Sequence, residues 1–189
     1  PGQDAAVPDT PLTAHSVCEV SLYFRITPCP ACGDGPLEEQ NPSGPADQTV
    51  STIIRKDAIC RSCDHKISVS FRMPVGDCQS SGDRAGAISG SDEPSEIIDL
   101  PQWLTLHSLL LNEASHETDK VVKRDAQIRA GECLTEALKF YDDPENDLPP
   151  RTACFCEASK HKLMDQPEIY SRQRLVNLRA SLPKTTTRR

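Results

Sequence analysis

In the stretch "CEVSLYFRIT", apolar and polar residues alternate. Cys18, Val20, Leu22, Phe24 and Ile26 fall on one side and Glu19, Ser21, Tyr23 and Arg25 on the other. This period of two predicts a half-buried strand running straight into Cys29. "TVSTII" is rich in β-branched residues, and "KISVSFRM" alternates strictly, with Ile67, Val69, Phe71 and Met73 facing one way. Two further strands are therefore expected, and with the first they predict a small antiparallel sheet. From Gly76 to Glu96 the pattern fades. "GDCQSSGDRAGAISGSDEPSE" has almost no large apolar residue and is dense in Gly, Ser and Asp, as in a flexible linker.

Beyond the linker the period becomes helical. Trp103, Leu106, Leu110 and Ala114 form one stripe, and Val122, Ala126, Ala130, Cys133, Ala137 and Tyr141 form another. Pro101 suits a first helical turn, and "DDPENDLPP" ends the second helix after Tyr141. A third helical segment carries Ala153, Phe155, Ala158 and Leu163. A fourth begins near Pro167, where Glu168 favours the positive end of the helix dipole, and continues through Ile169, Leu175, Val176, Leu178 and Leu182. The expected class is α+β: a polar tail over 1–16, a small sheet over 17–75, a linker over 76–98, a helical bundle over 99–183 and a frayed end over 184–189.

Composition adds two constraints. Aromatic residues make up only 4% of the 189-residue chain, so any core is mainly aliphatic, and a part too small to bury enough apolar area needs a staple. The net charge of -7 argues against non-specific nucleic-acid binding, yet the charge is uneven. From Arg151 to Arg189 nine Lys or Arg face three Asp or Glu, giving +6, so the first 150 residues carry -13. The basic end marks Arg172, Arg174, Arg179 and Lys184 as candidate partner-binding residues, set against the plainer reading of a solvated face. No apolar run approaches a membrane span, and "PGQDAAVPDTPLTA" lacks both the basic and the apolar part of a signal peptide. The absence of an initiator Met suggests a trimmed or processed chain.

The candidate staple is a set of cysteines. Nine is an odd count, and four of them form two Cys-x-x-Cys pairs, in "PCPACGDG" and "ICRSCDHK". That usage suits thiolate ligands and free thiols in a reducing, cytoplasmic compartment better than a secreted disulfide framework. Each pair lets two sulfurs converge on one cation, and the two pairs complete a tetrahedral thiolate shell, the preferred setting of a closed structural zinc ion. "GDGPLEEQNPSGPADQ", rich in Pro and Gly, reads as a hairpin-loop insertion that lengthens the spacing between the pairs.

With "CPACG" as a first knuckle, "CRSC" as a second and strands around them, residues 17–75 resemble the zinc-ribbon family. The resemblance implies that Cys29, Cys32, Cys60 and Cys63 bind one structural zinc. It does not select among the transcriptional, translational, enzymatic and docking roles that ribbons serve. "CRSCDH" departs from the pattern in lacking the glycine often found after the second knuckle. A dithiol redox centre is the alternative for the same cysteines, but such a motif ordinarily opens a helix beside a strand. His65 is a substitute ligand by spacing, against the simpler reading of a solvent-facing turn residue.

Other signals are weaker. On a helix Cys154 and Cys156 lie about 200° apart, too far round to share an ion, so buried structural thiols are the better reading. Cys18, Cys78 and Cys133 have no spacing argument. Glu113 and His116 form half of a helical di-iron motif, and neither Glu157 with His161 nor Glu132 with Glu136 supplies the other half. "AGECLTEALKFYDDPEN" faintly resembles the second helix of a tetratricopeptide repeat, but no period of about thirty-four recurs, and a generic bundle is the reading kept. No catalytic residues are assigned. The expectation is a non-enzymatic zinc-binding adaptor or scaffold that engages a protein. The alternative is a nucleic-acid-binding ribbon using Arg55, Lys56, Arg61, Lys66 and Arg72, and a metal- or thiol-dependent enzyme is the lesser one.

Overall fold

The computed structural model describes residues 10–40, 53–73, 87–143 and 145–184. It divides into two compact units, Pro1–Gln79 and Ser80–Arg189, and the class is α+β.

The N-terminal unit departs from the alternating pattern where the first strand is expected. Residues Val17–Ile26 form a helix, α1, where a strand is expected. Ser16 caps it, its hydroxyl accepting from Glu19 N–H at 3.0 Å, while the Glu19 carboxylate reaches back to His15 N–H at 2.5 Å. The Ser16 hydroxyl satisfies one of the donors that a new helix leaves open, and the Glu19 carboxylate ties down the residue before the cap. Val20 and Phe24, one turn apart, are buried, each removal from water contributing about 1.5–3 kcal/mol.

Four strands form the sheet: β1 (Leu12–Thr13), β2 (Leu37–Gln40), β3 (Ile53–Cys60) and β4 (Lys66–Arg72), in the order β1-β4-β3-β2. β2–β3 and β3–β4 are antiparallel, but β1 runs parallel to β4, so the sheet is mixed rather than antiparallel throughout. β1 lies within the expected polar tail, and Ala14 beside it is fully buried. β2 occupies part of the expected loop insertion, and residues 41–48 of that insertion lie outside the described residues.

Directly opposed residues share a face, so the register sorts the side chains. Leu37, Ala58, Cys60, Ile67, Val69 and Phe71 are buried on one face, where Phe71 meets Phe24 and Tyr23 edge-on at 5.8 and 5.6 Å. The other face carries Arg55, Asp57, Lys66 and Arg72.

In the C-terminal unit, α2 spans Leu100–His116 and opens on a complete capping box. Asp99 accepts from Gln102 N–H at 3.0 Å and Gln102 accepts from Asp99 N–H at 2.9 Å, with Pro101 in the first turn. The expected stripe Trp103, Leu106, Leu110 and Ala114 is buried. A short turn leads to α3 (Lys120–Leu138), whose Ala130, Cys133, Leu134 and Ala137 pack while Val122 stands half exposed. The part of the expected linker that the structure describes contributes Ile88, Ile97 and Ile98 to this core.

A 3-10 turn at Arg151–Ala153 precedes α4 (Glu157–Asp165), and another at Pro167–Tyr170 precedes α5 (Arg172–Ser181). Ser159 rather than Ala158 is the buried face of α4. The fourth expected segment breaks in two because Ser171 caps α5, bonding to Arg174 N–H, while Asp147 accepts from the Ser171 hydroxyl at 2.6 Å and from Gln173 N–H at 2.8 Å.

Candidate metal centre

Local turns place the four cysteines. The first knuckle, residues 29–33, follows the end of α1 and leads into β2. The second, residues 60–64, is the turn joining β3 to β4. Cys60 faces Leu37 in the sheet, so both knuckles occupy the same end of it. Each closes on the same bond: Gly33 N–H donates to Cys29 O at 2.8 Å, and Asp64 N–H to Cys60 O at 2.9 Å. Gly33 (φ 76°) and Asp64 (φ 57°) both adopt left-handed backbone, so aspartate fills the place where a second glycine is missing from the ribbon pattern. Arg61 N–H to Pro36 O at 3.1 Å and the Ser62 hydroxyl to Gly35 O at 3.1 Å hold one knuckle against the other.

These turns bring the sulfurs of Cys29, Cys32, Cys60 and Cys63 within 4.8 Å of one another. Cys29 and Cys63 are 3.7 Å apart, and so are Cys32 and Cys60. Sulfurs on a tetrahedron about zinc, each about 2.3 Å from the ion, are about 3.8 Å apart. The donor set and its dimensions therefore fit one zinc ion. Cys29 and Cys60 are buried, and Cys32 and Cys63 lie at the surface.

Ionisation of the metal-free set is uneven. Burial opposes the Cys29 thiolate, but the N–H groups of Cys32 and Ala31 and the Cys63 and Cys60 thiols outweigh it and bring the pKa down to about 7. The His65 N–H favours the Cys63 thiolate, yet burial and the other three sulfurs push it up to about 12. Cys32 is also raised: the Asp34 N–H and the Cys63 thiol favour its thiolate, but burial and the Cys60 and Cys29 sulfurs outweigh them. The Cys29 thiolate forms readily while those of Cys32 and Cys63 resist, so a bound cation is what would let these sulfurs carry charge together.

Among the described residues this tetrad is the one group of three or more side chains able to hold a metal. His65 is exposed; its carbonyl accepts from Cys60 N–H at 2.9 Å, and its ring is not part of the group. Glu132 pairs with Arg179, Glu136 with Lys139 and Glu157 with Lys160, so ion pairs occupy three of the four carboxylates weighed in the di-iron reading. Cys154 and Cys133 are buried thiols. Cys154 precedes α4 and Cys156 caps its start, exposed and bonded to Ser159 at 3.4 Å, so the pair is not on a helix. Cys18 is exposed, and Cys78 lies outside the described residues.

The basic residues scatter. Lys56 points to the helix side of the sheet and pairs with Glu39 at 2.6 Å, and Arg61 pairs with Glu38. Arg55 bonds the Ser68 hydroxyl at 2.5 Å, leaving Lys66 and Arg72 exposed at opposite ends of β4. In the C-terminal unit Arg174 and Lys184 are exposed and Arg172 half-buried. Arg179 turns inward, bonded to Glu132 at 2.7 Å and Thr135 at 2.9 Å. Leu175, one of the apolar positions of the fourth expected segment, is fully buried and unavailable to a partner.

No known protein family, curated protein or solved structure matches this chain. No helix among the described residues is long and apolar enough to cross a membrane.

Proposed function

We propose that the N-terminal unit is a zinc-ribbon-type module holding one structural zinc through Cys29, Cys32, Cys60 and Cys63, and that the protein is a non-enzymatic adaptor whose helical unit binds another protein. The observation that carries this reading is the sulfur tetrad with its tetrahedral spacing. Zinc there supplies a cross-link between the two knuckles, and a shell filled by four thiolates leaves no open position for an activated water. The odd cysteine count, with four of the nine in two Cys-x-x-Cys pairs, suits a reducing, cytoplasmic setting.

The partner surface on this reading is the solvent side of α5 and the residues after it, with Arg172, Arg174 and Lys184 facing an acidic protein. Arg179 is excluded because its guanidinium is held by Glu132. The nucleic-acid reading is weaker, since Lys56 and Arg61, two of its five cations, are tied to carboxylates.

Two measurements test the proposal. Elemental analysis should find one zinc per chain, falling well below half in the Cys29→Ser, Cys60→Ser double variant; unchanged metal content would sink the metal assignment. Capture of partners from the native host, with nuclease added, should fall when Arg172, Arg174 and Lys184 are all reversed to Glu. Undiminished capture by that variant, still folded, would remove α5 from the binding surface.

A further inference from the structure

The helical unit carries an open groove of about 410 Å³ lined by Pro94, Glu96, Phe140, Asp142, Pro150 and Phe155, with Ser95 and Thr152 beside them. Its size falls in the range of about 300–1,000 Å³ typical of sites that bind ligand groups. Two features of the wall need explanation. Phe155 is 44% exposed, 6.2 Å from the buried ring of Phe140, and its backbone N–H is pinned at 3.1 Å by the second oxygen of the buried Asp99. The backbone that carries this aromatic residue is thus anchored at the rim while the residue stays partly open to water. The charged side chains lining the groove are both carboxylates, Glu96 and Asp142, both exposed. The two segments that supply them add the exposed Asp92, Glu93, Asp143 and Glu145.

Each wall narrows the occupant. The carboxylates repel an acidic segment, and a purely apolar one would strip their water without replacing it. A cation carrying an apolar stem satisfies both walls. Arginine suits them better than lysine: its guanidinium is planar, weakly hydrated and able to lie on an aromatic face while its N–H groups meet carboxylates at the edge. An open groove, rather than an enclosed cavity, admits a side chain from the middle of a chain.

We propose that this groove captures an arginine side chain displayed by an extended basic segment of a partner protein, its guanidinium lying on Phe155 and paired with Glu96 and Asp142. The site lies wholly within the helical unit, on residues separate from the basic α5 surface. It stands or falls independently of the metal assignment.

The test uses the full chain, labelled with 15N and observed by nuclear magnetic resonance. The probe is the blocked peptide acetyl-Gly-Ser-Arg-Leu-Ser-Gly-amide, titrated beside versions with Lys, citrulline or Glu in place of Arg. The arginine peptide should shift the amide signals of Glu96, Phe140, Thr152 and Phe155 saturably. The lysine peptide should bind several-fold more weakly, and the citrulline and glutamate peptides should cause no saturable shift. Phe155→Ala should weaken arginine-peptide binding on the order of tenfold. The Glu96→Gln, Asp142→Asn double variant alters only exposed side chains and should weaken it similarly even if Phe155→Ala disturbs the fold. Equal binding of the lysine or glutamate peptide, shifts elsewhere only, no binding of any peptide, or full binding by the double variant would each overturn the proposal.

Discussion

Gly33 and Asp64 hold equivalent places in the two knuckles: each is the fourth residue after a leading cysteine, has a left-handed backbone and donates its N–H to that cysteine's carbonyl. A Cβ at Gly33 would meet nothing within 4 Å, so a larger residue there is opposed by conformation alone, about 1–2 kcal/mol. Gly33→Ala should therefore weaken zinc affinity about tenfold in competition with a chromophoric chelator. Asp64→Gly should leave affinity equal or higher, because glycine enters this region without a Cβ penalty. A large loss in Asp64→Gly would mean that the Asp64 side chain, and not its backbone, serves the turn.

Metal removal should separate the two units. The chain's single tryptophan, Trp103, is fully buried in the helical unit, whereas the Tyr23 ring packs on Phe71 in the N-terminal one. A strong chelator should reduce strand dichroism and tyrosine order while tryptophan fluorescence stays at its native wavelength. A red shift of tryptophan on chelation would show that the units share their stability. Because the thiols must lose protons to bind, zinc affinity should fall steadily with decreasing pH.

His107 gives the helical unit a pH dependence of its own. Burial lowers its pKa from 6.5, and the Ala130 carbonyl, 3.0 Å from Nδ1, only partly offsets that. A depressed histidine is protonated more readily in the unfolded chain. The stability that depends on its neutral form is present above about pH 6.5 and is lost as pH falls toward the lower folded value. Denaturant midpoints followed by tryptophan fluorescence should drop below pH 6.5, and His107→Gln should flatten that slope. A slope of unchanged steepness in the variant would assign the effect to another group.

Arg179 should behave as a structural residue. Its guanidinium crosses Gly131, where a Cβ would come within 2.9 Å of it, and its side chain is only 17% exposed. Arg179→Ala leaves Glu132, 14% exposed, without its partner and should cost on the order of 2–4 kcal/mol in chemical denaturation. Gly131→Ala should also destabilise by displacing the guanidinium. Arg174→Ala, on the exposed side of the same helix, should change stability by less than about 0.5 kcal/mol.

The cysteine tetrad was legible in the sequence because a Cys-x-x-Cys turn is local chemistry: the residues that set its geometry lie within five positions. Element type around them was less so. "VCEVSLYFRI" satisfies a period of two, yet Val20 and Phe24 also stand one helical turn apart, and Ser16 with Glu19 forms the cap that decides between them. That capping pair was the available signal. Side-chain commitments were the hardest to read, because Lys56 meets Glu39 and Arg179 meets Glu132 only after distant segments pair. A basic residue on paper carries no mark of whether its charge is already answered. The same holds for Leu175, whose burial depends on packing that its helix cannot announce alone.

The nearest sulfur pairs in the tetrad run between the knuckles, Cys29 with Cys63 and Cys32 with Cys60. Air oxidation of metal-free protein should therefore favour bonds that enclose roughly thirty residues over the tight rings of neighbouring cysteines, and linkages of that span restrict the unfolded chain by about 3–4 kcal/mol. An oxidised, zinc-free sample should thus keep the outward signs of a folded N-terminal unit. Intact mass under non-reducing conditions, read as a loss of four hydrogens, distinguishes that covalent counterfeit from the metal-bound protein.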